Sequence, residues 1–136
     1  ESEKKFFDLS LISVTFPYHI VDPEQRDKII ENVRYHLLRK KGVIRYKNDY
    51  YYNKNPDGYS EEAEWCFGLS WLAIIYAKLG NHKEAKNFVD RALATVTNTG
   101  EEPELYYSNT DIPNENTPLG WAESLLIVAL HKMHHD

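Results

Sequence analysis

A chain of 136 residues makes about one domain, long enough to bury roughly two thirds of the surface of its unfolded form. With 42% hydrophobic and 27% charged residues it sits in the globular range, away from disordered, collagen-like and disulfide-scaffold compositions. Sixteen Lys and Arg against 21 Asp and Glu leave a net charge of -5, so there is no basic field for nucleic acid or an anionic membrane. The single cysteine, Cys66, excludes an internal disulfide framework, and no Asn begins an N-x-Ser/Thr sequon, a usage that favours the cytoplasm. No apolar run reaches the ~18 residues of a membrane span. The sequence opens on Glu1 rather than Met, which suggests part of a longer chain.

In chain order, a first helix is expected over Phe6 to Thr15, before Phe16-Pro17. A second spans Asp22 to Lys41, where Ile29, Ile30, Val33, Leu37 and Leu38 recur at helical spacing. Asp22 stands at its N-cap, Pro23 at the first helical position, Gln25 in a capping box, and Gly42 closes it. The third, Ser60 to Leu79, is apolar on nearly every side after an acidic first turn (Glu61, Glu62, Glu64) that suits the helix dipole; it reads as an inner helix. Asn81 caps a fourth, amphipathic helix running to Val96, with Glu84 at its third position. Thr117-Pro118 opens a fifth through Leu130. Five helices and no persuasive strand predict an all-α fold of helical hairpins.

Short connections alternate with two long ones, Gly42 to Tyr59 and Thr97 to Asn116, each beyond the ~12–15 residues at which a loop is usually functional or disordered. In an antiparallel series both long loops fall at one end of the helices. Seven of the ten tyrosines lie in them (Tyr46, Tyr50, Tyr51, Tyr52, Tyr59, Tyr106, Tyr107), a composition unlike a disordered linker. A faint internal repeat runs Tyr51-Tyr52-Asn53 to Trp65 and Tyr106-Tyr107-Ser108 to Trp121, about 55 residues apart, too long for the ~34-residue tetratricopeptide period.

An acidic loop (Glu101, Glu102, Glu104, Asp111, Glu115) is ordinarily solvated surface. Beside aromatics it also offers what inverting glycoside hydrolysis requires: carboxyl groups that protonate the leaving oxygen and activate water, and ring faces for sugars. The stretch Gly42-Val43-Ile44-Arg45-Tyr46-Lys47-Asn48-Asp49-Tyr50-Tyr51, followed by Trp65, resembles the G-x-x-R-Y-x-x-D-x-Y…W stretch of glycoside hydrolase family 15, the glucoamylases and their bacterial and archaeal relatives. Pro103-Glu104-Leu105-Tyr106 with Pro118-Leu119-Gly120-Trp121-Ala122 is similar to that family's second catalytic stretch, and Asp8-Leu9-Ser10-Leu11 to a short D-x-S-L motif. The resemblance covers nearly the whole chain.

It implies that residues 1–136 are the C-terminal portion of an (α/α)6 toroid acting by inverting, exo-acting hydrolysis of α-glucosidic bonds in gluco-oligosaccharides or starch-like glucans. Glu104 would be the general base. Arg45 would bind substrate hydroxyls, with Asp49 holding the arginine, and Trp65 would line the sugar pocket. The general acid would come from an earlier loop outside this chain, supplied by the missing N-terminal part of the domain or by a self-associated copy. No cofactor is implied. Where the family has Gln and then Asp after the base, Leu105 and Tyr107 stand here.

Plainer readings stand beside these. Arg45 and Asp49 at i, i+4 make an ordinary ion pair worth under ~1 kcal/mol when exposed, and Trp65 is a natural core anchor. Cys66 reads as a small buried hydrophobe, and His131 and His135 lack further ligands for a metal site. The segment Trp71 to Ala85 looks like a tetratricopeptide hairpin, so a helical-repeat interaction module is the runner-up, and a non-catalytic toroid of a regulatory subunit is a third reading. With fewer than half the hairpins of a toroid, the helices around Trp71 and Leu125 are expected to expose an apolar surface.

Overall fold

The structure, a computed structural model, describes residues 7–135. It is mostly helical, as the sequence predicts, with helices α1 (Pro23–Asn32), α2 (Phe67–Lys78), α3 (His82–Leu93) and α4 (Gly120–His135). Two-residue strands β1 (Glu64–Trp65) and β2 (Leu105–Tyr106) pair antiparallel, Glu64 opposite Tyr106 and Trp65 opposite Leu105. These strands are the element the sequence analysis missed, because two residues are too few to display a period-2 alternation.

The first expected helix is a 3-10 helix, Leu9–Val14, capped by the Asp8 carboxylate accepting from Ser10 N; Phe6 lies outside the described residues. Leu9 N–H donates to Arg45 O at 2.8 Å, so the segment is tied to the first long loop at its start. Helix α1 has the expected capping box between Asp22 and Gln25. It then widens into a π-helical turn, Val33–Leu37, and stops at Leu38, four residues before Gly42. The chain turns there because Leu38 bridges back to Val43 and Ile44 N–H donates to Leu37 O. Gly42 is required for another reason than capping: a Cβ there would stand 2.5 Å from Trp65 O.

Helix α2 begins at Phe67, not Ser60. The three glutamates assigned to its first turn lie in extended chain and hold loop backbone and side chains instead. Glu62 accepts from Asn48 N, Glu64 from Lys41 N and Asn109 N, and Glu61 from Ser108 Oγ and Asn109 Nδ2. From Phe67 to Ala77 every residue of α2 is buried, between α3 and α4, which confirms an inner helix. Asn81 caps α3 by accepting from Glu84 N. Helix α3 ends at Leu93, before the expected Val96, where Thr95 Oγ donates to Ala92 O.

Helix α4 starts three residues late, at Gly120, with Leu119 N–H donating to Glu102 O, and runs five residues past Leu130. Ala122, Leu126 and Ala129 face the core while Trp121, Ile127 and Val128 are exposed. The exposed apolar face therefore belongs to α4; Trp71 is buried, its Nε1 donating to Phe16 O at 3.0 Å. No helix among the described residues is long and apolar enough to cross a membrane.

Candidate active site

Both long loops gather at the end where α2 and α4 begin: Phe67 stacks on Trp121, ring centroids 4.3 Å apart. Besides the β1–β2 pair, the loops are joined by Asn55 Nδ2 to Ser108 O at 2.8 Å, by Tyr52 donating to Glu115, and by the Lys41–Asp111 ion pair. The side-chain ties link residues 53, 63 and 70 apart in sequence, so each long loop is ordered chiefly by the other.

At this end a cleft of about 410 Å³ is lined by Asp8, Ser10, Arg45, Trp65, Trp71 and Trp121, among others. The Arg45 guanidinium lies 4.5 Å from the Trp65 ring centroid and 5.1 Å from that of Tyr51, an arrangement of positive charge over π-faces that is attractive in itself. Its Nε and Nη2 donate to the two oxygens of Asp49 at 2.6 and 2.8 Å. Asp49 is buried and also accepts from Tyr51 N. The hydrogen bond to Asp49 leads in holding the guanidinium pKa above its usual value. Three of the five guanidinium N–H groups have no partner among the described residues, and Arg45 lines the cleft. Asp49 thus fixes the plane of the arginine, and the remaining fork can donate to hydroxyl groups.

Trp65 is 6% exposed and serves as both core anchor and cleft wall. Trp121, quoted in the sequence only within the internal repeat and the second stretch, is a half-exposed ring lining the cleft beside Phe67 and Trp71. Asp8 and Ser10, from the D-x-S-L segment, also reach the cleft.

Glu104 does not line the cleft. It precedes β2, its carbonyl accepting from Cys66 N at 3.1 Å, so its backbone lies alongside the chain that carries Trp65. Its Oε1 accepts from Asn114 Nδ2 at 2.9 Å and Asn116 Nδ2 at 3.2 Å. Oε2 has no partner among the described residues. The polar support that Leu105 and Tyr107 cannot give thus comes from two asparagines about a dozen residues on. Nothing local in the sequence marks them; they reach Glu104 because the loop folds back, with Glu104 N donating to Asn116 O and Asn114 N to Leu105 O.

The other carboxylates differ. Glu101 accepts from Thr99 Oγ at the surface. Glu102 is 1% exposed, and burial pushes its carboxyl up to about 7. Burial likewise pushes the Cys66 thiol well above its ordinary value, which leaves it protonated and unreactive at neutral pH. Among the described residues no group of three or more His, Cys, Asp or Glu side chains is placed to hold a metal.

Helical hairpins that carry two interlocked, aromatic loops at the ends of α2 and α4 define an all-α architecture with a tryptophan-lined cleft. No protein-family model matches the chain, and no curated protein does. Among solved structures it is similar in fold to a wild-type glycosidase, with TM-score 0.79 and 18% identity over 93% of this chain and 36% of that one. A substituted glycosidase gives TM-score 0.79 and 19% identity at the same coverage. Another, in complex with glucose, gives 0.78 and 18%, again over 93% and 36%. The chain shares the fold of these glycosidases over about a third of their length.

Proposed function

We propose that this chain is the C-terminal portion of a glucoamylase-like (α/α)6 catalytic domain that hydrolyses α-glucosidic bonds from the non-reducing end of gluco-oligosaccharides or starch-like glucans, with inversion. The observation that carries this reading is the state of Glu104: buried beside the strand that bears Trp65, it has one carboxylate oxygen held by two amides and the other without a partner among the described residues. In the proposed reaction Glu104 Oε2 takes a proton from water, and the water oxygen bonds to the anomeric carbon. The glycosidic C–O bond breaks on the opposite side, and the leaving oxygen takes a proton from a general acid elsewhere in the domain. Arg45 donates to the hydroxyls of the terminal sugar, Asp49 keeps the guanidinium in its plane, and Trp65 and Trp121 pack on ring faces.

The glycosidase likeness supports this over a helical-repeat module, as do the long interlocked loops, which such repeats lack. The exposed face of α4, with Ile127 and Val128, suits packing against the remainder of the domain. The test is product stereochemistry: the intact protein, given an α-linked gluco-oligosaccharide, releases glucose whose anomeric proton appears first in the β position by NMR. Initial release of α-glucose contradicts inversion. Oligosaccharide binding without release favours a non-catalytic toroid.

A further inference from the structure

Away from the cleft, a cavity of about 350 Å³ lies between residues 55–61 of the first long loop and the turn at 108–109. Its walls include Asn55, Asp57, Ser60, Glu61, Ser108 and Asn109. Every one of these side chains ends in oxygen or an amide, two are carboxylates, and no basic residue lines the space. Acidic residues at a surface are ordinarily solvated, so the pair alone signifies little.

The second observation is Asn55. It is 8% exposed, and its Nδ2 donates across the cavity to Ser108 O at 2.8 Å. Its Oδ1 is shielded from solvent and has no donor among the described residues. A buried acceptor without a partner carries a desolvation penalty that a cation relieves directly. The loop sequence points the same way. Asn53-Lys54-Asn55-Pro56-Asp57-Gly58, with Glu64 six residues on, has the spacing D-x-[DN]-x-[DN]-G-x5-E of a calcium loop, with Asn for Asp at the first position. Gly58, at φ 91°, makes the sharp turn that such a loop needs.

The match departs at its end. Glu64 spends its carboxylate on Lys41 N at 2.8 Å and Asn109 N at 2.9 Å. Glu61 stands in its place, with Oε2 held by Ser108 Oγ and Asn109 Nδ2 and Oε1 without a partner among the described residues.

We propose that this loop binds a hard divalent cation, Ca²⁺, through Asn55 Oδ1, the Asp57 and Glu61 carboxylates, and water. Amide and carboxylate oxygens with water suit the 6–8 ligands of Ca²⁺ better than the strict octahedron of Mg²⁺, and no nitrogen or sulfur is offered for zinc. Bound there, the cation fastens the first long loop to the second.

Tyr59 lines the same cavity and is exposed, so it can sensitise terbium. The full chain, stripped with chelator and titrated with Tb³⁺ under tyrosine excitation, gains emission that Ca²⁺ displaces. Asp57→Asn, an isosteric change at an exposed residue, raises the Ca²⁺ Kd at least about tenfold by removing a ligand charge, with the cation-free melting temperature unchanged. Glu61→Gln raises the Kd as well. Asp90→Asn, on the exposed face of α3, leaves the Kd as it was. Emission that Ca²⁺ does not displace, equal Kd values for Asp57→Asn and Asp90→Asn, or equal displacement by Mg²⁺ overturns the assignment.

Discussion

Replacing Glu102 by Gln isolates one buried carboxyl and its pH dependence. Its Oε1 is 2.8 Å from Thr95 Oγ, which itself lies 2.6 Å from Ala92 O. The hydroxyl has one hydrogen for two acceptors. A protonated Glu102 donating to Thr95 while Thr95 donates to Ala92 resolves that competition, and its pKa is raised chiefly by burial and further by the nearby Glu123, against the lowering effect of the Thr95 hydrogen bond. A carboxyl that titrates near 7 in the fold and near 4.5 in the unfolded chain keeps its proton in the fold while the unfolded chain releases it. Stability therefore falls as pH rises from about 4.5 through 7, and the full cost above both values is about 3 kcal/mol. The amide of the Glu102→Gln variant resembles the neutral acid and has no proton to lose. Urea unfolding at pH 5 and pH 8 reads the difference: the variant gains about 2–3 kcal/mol on the wild type between the two conditions. The other titrating groups are common to both proteins and cancel. A wild-type-minus-variant difference that is the same at both pH values refutes the buried, protonated state.

Asn114→Ala removes the 2.9 Å donor to Glu104 Oε1, and the intact protein should lose about tenfold in kcat with KM nearly unchanged, because a hydrogen bond to a charged group contributes about 1.5–3 kcal/mol. Arg45→Ala should raise KM about tenfold or more through lost hydroxyl contacts. It should also cost about 1–3 kcal/mol of stability, since buried Asp49 loses its partner while the site stays partly open to water; substrate-dependence curves and denaturant unfolding read the two effects separately. Gly42→Ala places a methyl 2.5 Å from Trp65 O and should cost at least about 2 kcal/mol in thermal melts.

The helices were legible where local chemistry decides them. The Asp22–Gln25 capping box, the Asn81 cap, and the apolar run from Phe67 to Ala77 place α1, α3 and α2 without tertiary information. The errors have a common physical cause. Helix α1 stops at Leu38 because that residue pairs with Val43, and α2 waits until Phe67 because Glu64 and Trp65 pair with Leu105 and Tyr106. At α2 a long-range strand pairing overrides a good local helix pattern, and at α1 a short return of the chain does so, its Val43 pairing in turn with Trp65. The Arg45–Asp49 pair, at i and i+4, was visible for the same local reason, although here it is a loop bridge and not a helical ion pair. The support of Glu104 by Asn114 and Asn116 was invisible, as were the roles of Glu61 and Glu64, because those partners meet only when the loops close on each other.

The central claim is that Glu104 activates water, and the direct measurement is turnover by Glu104→Gln in the intact protein beside Glu101→Gln. The substitution keeps the shape and the amide contacts of Asn114 and Asn116 within reach while removing basicity. A fall in kcat of about 10²–10⁴-fold is expected, with oligosaccharide affinity and melting temperature nearly unchanged and Glu101→Gln at the wild-type rate. Near-normal turnover in Glu104→Gln, or a comparable loss in Glu101→Gln, contradicts it.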